Sequence, residues 1–292
     1  MQDPTDIRAQ VRDFLLTRRN RLTPEAAGLP TYGSNRRVPG LRREEVALLA
    51  GVSADYYVRL ERGNLGGASE SILEALAAAL RLDEAERAHL YDLARASSAP
   101  RRRAPRAARK VRPSILRILD SMTSTPAFVR NGRFDILGAN LLGRALYAPV
   151  FDSALFAQRG PINSARFMFL DPAAVEFFVD WDKGADDAVA FLRSELGRSP
   201  YDRVLADLIG ELTTRSSEFT ARWARHDVKF HRTGVKRLRH PLVGELALPY
   251  EALELAADPG LRLNVYTPEP DSPEQQALSW LASWAGAVDP VR

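Results

Sequence analysis

The sequence predicts an α+β chain in two parts, an all-helical front followed by a mixed domain. Three observations predict it. Residues 1–97 carry apolar side chains at helical spacing, with no run alternating at the period of a strand. Residues 97–112 break that pattern with two prolines, seven basic residues and no acid, a composition that cannot bury a face. Beyond them come a hairpin signal, a long helical stretch and short runs of period two. Length agrees, because 292 residues exceed the roughly 100–200 of one domain. The expected divisions are 1–97, a basic linker at 98–112, and 113–292.

Each element has a local reason. Ile7, Val11, Phe14 and Leu15 form the inner face of a first helix. Residues 20–40 hold three prolines and three glycines and read as a long loop. Leu41 opens a second helix through Ala50, and Ser53 caps a third that ends near Gly63. Ile72, Leu73, Leu76, Ala77 and Leu80 mark a fourth, and Asp83 caps a fifth. Pro113 starts a short helix. Asn131-Gly132, between two apolar runs, is a hairpin turn because both residues tolerate positive φ. Residues 139–198 are mostly helical, with Asp171-Pro172 as one start signal. Ser199-Pro200 begins a helix through Leu212, and Ser217–Arg225 is helical. Strands are expected at Val228 and Phe230, at Leu242–Leu248, and at Leu261, Leu263 and Val265. Ser272-Pro273 caps a closing helix.

Composition excludes several chemistries. Without cysteine there are no disulfides, thiolate metal sites, iron–sulfur clusters or cysteine nucleophiles. No run nears the roughly 20 apolar residues of a membrane span. The start carries acids and no apolar core, unlike a leader, so a cytoplasmic location is expected. Charge is uneven: a net of +4 divides into +7 on residues 1–112 and −3 on residues 113–292. A basic front suits a polyanionic partner. The linker reads equally as a solvated tether or as a strip lying along phosphates.

The segment Leu41–Gly63 has the build of a helix-turn-helix. Ala47 is small where two helices touch, Gly51 supplies the sharp turn, and Val52, Tyr57 and Leu60 point inward. Ala54, Asp55, Val58 and Arg59 are left on the outer face of the third helix.

With Ala50-Gly-Val-Ser53 and Leu60-Glu-Arg-Gly63, this segment resembles the lambda-repressor-like, Cro-type helix-turn-helix family. The wider run Arg37–Tyr57 is similar to the MmyB-like transcriptional regulators. So are Phe169-Leu-Asp-Pro172, Asp180-Trp181, Gly210-Glu-Leu212, Ser217-Glu-Phe219, Trp223-x-x-His226-x-Val228 and Gly234-x-Lys-x-x-x-His-Pro-x-Val-Gly244. The likeness covers nearly the whole chain. It implies a DNA-binding domain followed by a PAS-like α+β domain that binds a ligand. It also implies that Arg42 and Arg43 grip phosphate and that Ala54, Asp55, Val58 and Arg59 reach base edges. Asp55 in the first turn equally serves the helix dipole. Arg62 and Asn64 fall where backbone is touched, and Arg36-Arg37 meet either solvent or phosphate.

No catalytic pattern competes. His226, His231 and His240 lack the spacing of a helical metal pair, and Asp180, Asp182, Asp186 and Asp187 read as a solvated turn. No nucleophile elbow or phosphate loop is present, so neither enzyme activity nor a metal is expected. The aromatic crowding after the linker is the remaining anomaly. A filled core explains most of it. The expected reading adds a pocket for a small apolar molecule, such as a fatty acyl chain, between the sheet and the 139–225 helices. Its candidate lining is Phe128, Phe134, Phe167, Phe169, Phe177, Phe178, Trp181 and Trp223. Asn140, Asn163, Arg222 and His226 are candidate anchors for a polar head. A homodimer is expected, since one helix-turn-helix reads only a half-site. The alternative is a second domain that only dimerises or binds another protein.

Overall fold

The computed structural model describes residues 6–30, 38, 40–98, 110–157, 161–229 and 233–288. Contacts divide the chain into two compact units, each assembled from separated stretches. The first is Met1–Ala104 with Val189–Thr213 and Thr220–Phe230; the second is Pro105–Ala188 with Thr214–Phe219 and His231–Arg292.

The first unit opens with five helices: α1 (Ile7–Arg21), α2 (Arg43–Leu49), α3 (Ala54–Glu61), α4 (Glu70–Ala79) and α5 (Glu84–Ser98). Their starts follow local chemistry. Asp6 accepts from the Arg8 and Ala9 amides at 3.0 and 3.3 Å. Ser53 accepts from the Tyr56 amide at 3.2 Å. Asp83 and Glu86 exchange side-chain bonds with each other's amides at 2.8 and 3.1 Å, a capping box opening α5. Gly51, at φ +64°, makes the turn between α2 and α3. Val11, Phe14, Leu15, Val46, Tyr57 and Leu60 meet in one core.

The second unit continues with α6 (Pro113–Ser121), β1 (Ala127–Asn131), β2 (Ile136–Ala139), α7 (Leu141–Leu146), α8 (Ala148–Phe151), α9 (Ser164–Leu170) and α10 (Ala173–Phe177). Next come α11 (Trp181–Arg198), α12 (Arg203–Arg215) and α13 (Ser217–Trp223). From Val189 onward α11 belongs to the first unit, as do most of α12 and the end of α13. The chain ends with β3 (Thr233–His240), β4 (Gly244–Glu254), β5 (Leu261–Tyr266) and α14 (Pro273–Val288).

The five strands form one antiparallel sheet in the order β2-β1-β5-β4-β3. The α+β class is therefore correct. Pairing of Phe128 with Asn264, and of Arg130 with Arg262, fixes which residues share a face. On one face Ala127, Val129, Leu261, Leu263 and Val265 pack under α6 through Ile115 and Leu119. On the other face Phe128, Leu238, Leu248, Tyr250 and Tyr266 pack with residues of α7, α9, α10 and α14. With both faces covered, all six residues of β5 are buried.

Three local expectations need correction. The hairpin turn does not use Asn131-Gly132 at positive φ. Asn131 ends β1, its side chain accepts from the Arg133 and Asp135 amides at 2.9 and 3.1 Å, and Phe134 takes φ +66° instead. Ser199-Pro200 is not a helix start. Asp202 caps α12, accepting from the Val204 and Leu205 amides at 3.0 and 3.2 Å. The strand expected at 228–230 is β3, farther along. Val228 packs into the helical core instead, and Phe230 lies outside the described residues.

Candidate functional site

The helix-turn-helix surface is built on a buried charge. Glu61, only 3% exposed, sits at the end of α3. It accepts from Arg19 Nε at 2.6 Å, from Tyr57 at 3.5 Å, and from Arg43. Arg19 also donates to the Leu41 carbonyl at 2.8 Å. This hub ties α1, α2 and α3 together. The bond it donates to Glu61 holds the Arg43 guanidinium above its usual range, and burial first, then the Glu61 charge, raises the Tyr57 phenol. Arg43 is thus tied to Glu61 while its side chain stays half exposed. Arg42, Asp55, Arg59 and Arg62 are exposed, while Ala54 and Val58 are half-buried. Asn64 donates to the Arg59 carbonyl at 3.4 Å and finishes α3, a structural task. The Arg42 amide is already met by the Glu45 carboxylate at 2.6 Å. Arg36 and Arg37 lie outside the described residues.

In the second unit a cavity of about 40 Å³ lies between the sheet and the helices. That volume admits about three waters. Phe128, Phe134, Phe178 and Tyr266 line it, together with Met168 and the small residues Gly184 and Ala188. Tyr147 and Tyr266 hydrogen-bond through their hydroxyls, and burial raises both phenols. The helical wall uses residues from Tyr147 to Ala188 and does not extend to 225.

Ser164 lines the cavity from α9, and the sheet adds three polar residues: Arg130, Lys236 and Asn264. Arg130 is buried with its guanidinium 4.5 Å from the Phe134 ring centre. The Lys236 ammonium lies 5.4 Å from the Phe178 ring centre. It also lies 3.8 Å from where a Cβ on Gly184 would be. Desolvation pulls its pKa down to about 8, with Asp187 opposing and Arg130 reinforcing the shift. Asn264 is 3% exposed, and its Oδ1 meets no donor among the described residues.

Of the residues the sequence nominated for a ligand, Phe128, Phe134 and Phe178 reach this cavity. Phe167 and Phe177 are core, 6.1 Å apart in an edge-on pair. Phe169 packs edge-on against Trp181 and Phe219 at 6.2 and 5.1 Å. Asn140 is fully spent: it donates to the Met122 and Thr125 carbonyls and accepts from the Ala127 and Gly143 amides. It also borders a separate groove of about 800 Å³ with Met122, Leu141 and Ala282. Asn163 is likewise committed, to Asp135, the Arg133 carbonyl and the Arg166 amide. Arg222, Trp223 and His226 belong to the first unit. There Arg193 stacks 3.9 Å from the Trp223 ring centre, and Arg18 donates to the His226 carbonyl.

The sequence reading missed Arg130, Lys236 and Asn264. The signal was present: Arg262 and Asn264 alternate with the apolar set of β5, on a strand covered on both faces. The sequence analysis named only the apolar members of β5 and gave its polar residues no role. No group of three or more candidate metal ligands occurs among the described residues. His240 spends both ring nitrogens, on the Ala145 carbonyl at 3.0 Å and the Leu242 amide at 3.2 Å, and His231 lies outside the described residues. No helix described is long and apolar enough to cross a membrane.

Two family descriptions match the chain. The helix-turn-helix domain matches residues 11–90. The MmyB-like transcription regulator ligand binding domain matches residues 111–281. No curated protein matches it significantly.

Proposed function

Since the chain belongs to the MmyB-like transcription regulators, and so joins a DNA-binding domain to a ligand-binding domain, we propose that it reads an operator as a homodimer under control of an apolar ligand. Arg59 and Asp55 read bases from the outer face of α3, and Arg42 holds phosphate. The exposure of these three side chains supports the assignment. The ligand is an amphiphile such as a fatty acyl chain. The observation that carries this is the aromatic cavity between sheet and helices, with Phe128, Phe134 and Phe178 on its wall. The strand order 2-1-5-4-3, with α7, α9, α10 and α14 over the face that carries Phe128 and Tyr266, supports the PAS-like reading.

The cavity has room for a few atoms, not for ten methylenes, so a chain must part the aromatic wall. Each buried methylene returns about 0.8 kcal/mol toward that opening. Thermal melting of the full chain with acyl chains of increasing length tests the proposal. Stabilisation that climbs with length and then stops is expected. A melting point indifferent to every length refutes it. The small cavity favours one rival, a domain that only dimerises; that rival requires the same indifference together with a dimer in sedimentation.

A further inference from the structure

Lysine is scarce in this chain: of 41 basic residues four are lysines, so arginine is the default carrier of positive charge. Lys110, Lys183 and Lys229 are exposed. Lys236 is half-buried on β3, where it pairs with Leu248 and stands two residues before Leu238, both members of the apolar layer between sheet and helices. Its side chain lines the aromatic cavity and faces the Phe178 ring, and no acceptor takes its protons among the described residues. The charges that bear on it are Asp187 and Asp180 against Arg130 and Lys183. Those four balance, so the ammonium is not there to offset an excess of acid. Gly184 leaves the space beside it open, since a Cβ there would lie 3.8 Å from Nζ. With burial holding its pKa at about 8, roughly one such amine in ten is neutral at pH 7, against roughly one in 3,000 for a lysine in water. An arginine would supply charge alone; a lysine supplies an amine that can lose its proton and attack.

We propose that Lys236 is a covalent capture site for an aldehyde with an apolar tail. The neutral amine adds to the carbonyl carbon, and the carbinolamine then expels its oxygen as water. A protonated imine is left between Nζ and the former carbonyl carbon. Two of the three ammonium protons depart with that oxygen, nothing is oxidised or reduced, and the nitrogen is positive before and after. Asp187 and Asp180 therefore face the iminium as they faced the ammonium. A site that excludes water favours the loss of water. The cavity of about 40 Å³ has room for the carbonyl end, and Phe128, Phe134 and Phe178 receive the first carbons of the tail. The inference rests on the reading of this cavity as the seat of an apolar ligand, and adds a reversible covalent bond and the chemical class of the ligand's end.

Incubation of the full chain with decanal, reduction with cyanoborohydride and peptide mass mapping tests it, because reduction fixes each imine as a stable decyl amine. The label on Lys236 should exceed that on Lys110, Lys183 and Lys229 by about tenfold or more, and likewise that on the N-terminal amine, whose pKa in water is also about 8. Propanal, which lacks the tail, should lose most of this preference. Lys236→Arg keeps the charge and Lys236→Met keeps the length without it; both should abolish the label at this position, and melting of each without ligand checks that it folds. Decyl label spread over the exposed amines, with Lys236 no higher, overturns the capture site. Equal preference with propanal overturns the apolar tail. Melting with decanol, which forms no imine, separates the two readings. If decanol stabilises the chain while Lys236 stays unlabelled by decanal, the apolar-ligand reading stands and this inference falls. If decanol does nothing and Lys236 stays unlabelled, both fall.

Discussion

Replacing Glu61 with glutamine tests the charge hub beneath the helix-turn-helix. Glu61→Gln keeps the size of the side chain and removes its charge. Arg19 is then left 7% exposed with no carboxylate beside it. Breaking a buried pair from one side costs about 3–5 kcal/mol. Two features place this case at the low end. Arg19 keeps its bond to the Leu41 carbonyl, and Arg43, half exposed, can turn to water. A loss of about 3 kcal/mol lowers the melting temperature by about 6–12 °C, at 2–4 °C per kcal/mol for a domain of this size. The assay is circular dichroism melting beside Glu25→Gln, an exposed carboxylate whose change should stay within about 0.5 kcal/mol. If both variants melt within 2 °C of the parent protein, the hub holds nothing and the reasoning fails.

Other outcomes follow from the same geometry. Arg59→Ala should lose about 1–3 kcal/mol on the cognate operator and relax its sequence preference, measured by fluorescence anisotropy against scrambled DNA; equal loss on both sequences removes Arg59 from base reading. Arg42→Ala should weaken all sequences alike and reduce the salt slope by about one. Gly63→Ala should destabilise the helical unit by about 2 kcal/mol or more in urea titration. Its backbone sits at φ +97°, and a Cβ would lie 2.6 Å from the Arg8 carbonyl oxygen. His89 gives a pH signature. Burial first, then the Arg193 charge, lowers its pKa from 6.5 to about 3, so below 6.5 the unfolded chain takes up the proton and the folded one does not. Stability should therefore fall as pH drops from 7 to 5, by about 2 kcal/mol from this residue alone. Urea midpoints of His89→Gln across that range should be correspondingly flatter; an unchanged slope excludes His89 as the source.

The helix-turn-helix was legible because its signals are local. Gly51, Ser53 and the buried Tyr57 and Leu60 act within one or two turns of chain. The cavity was legible only in part, because alternation along a strand tells which residues share a face and not how many faces are covered. Leu261, Leu263 and Val265 marked one buried face of β5, and α6 covers it. Nothing local reported that the face carrying Asn264 and Tyr266 was covered as well. β3 escaped for the converse reason: it presents Val235 to solvent and charges at several positions, so its apolar alternation is faint. Val228 looked like the start of a strand, but its burial comes from helices far away in sequence.

That distance bears on how the protein is made. The helical unit is not finished when its fifth helix leaves the ribosome. Val228, which closes its core, is still unsynthesised, and so are Arg193 and Gly197, the latter leaving room for the His89 ring. At about 5–20 residues per second, the front helices wait on the order of ten seconds for these pieces. During that interval Arg18 and Glu86 have each other, but Arg18 lacks the His226 carbonyl and Asp227 that later receive it. The nascent front is therefore a provisional fold. It becomes its final self only after the segments that complete it have emerged, so a chain interrupted before residue 230 would release an unfinished helical unit rather than a working half.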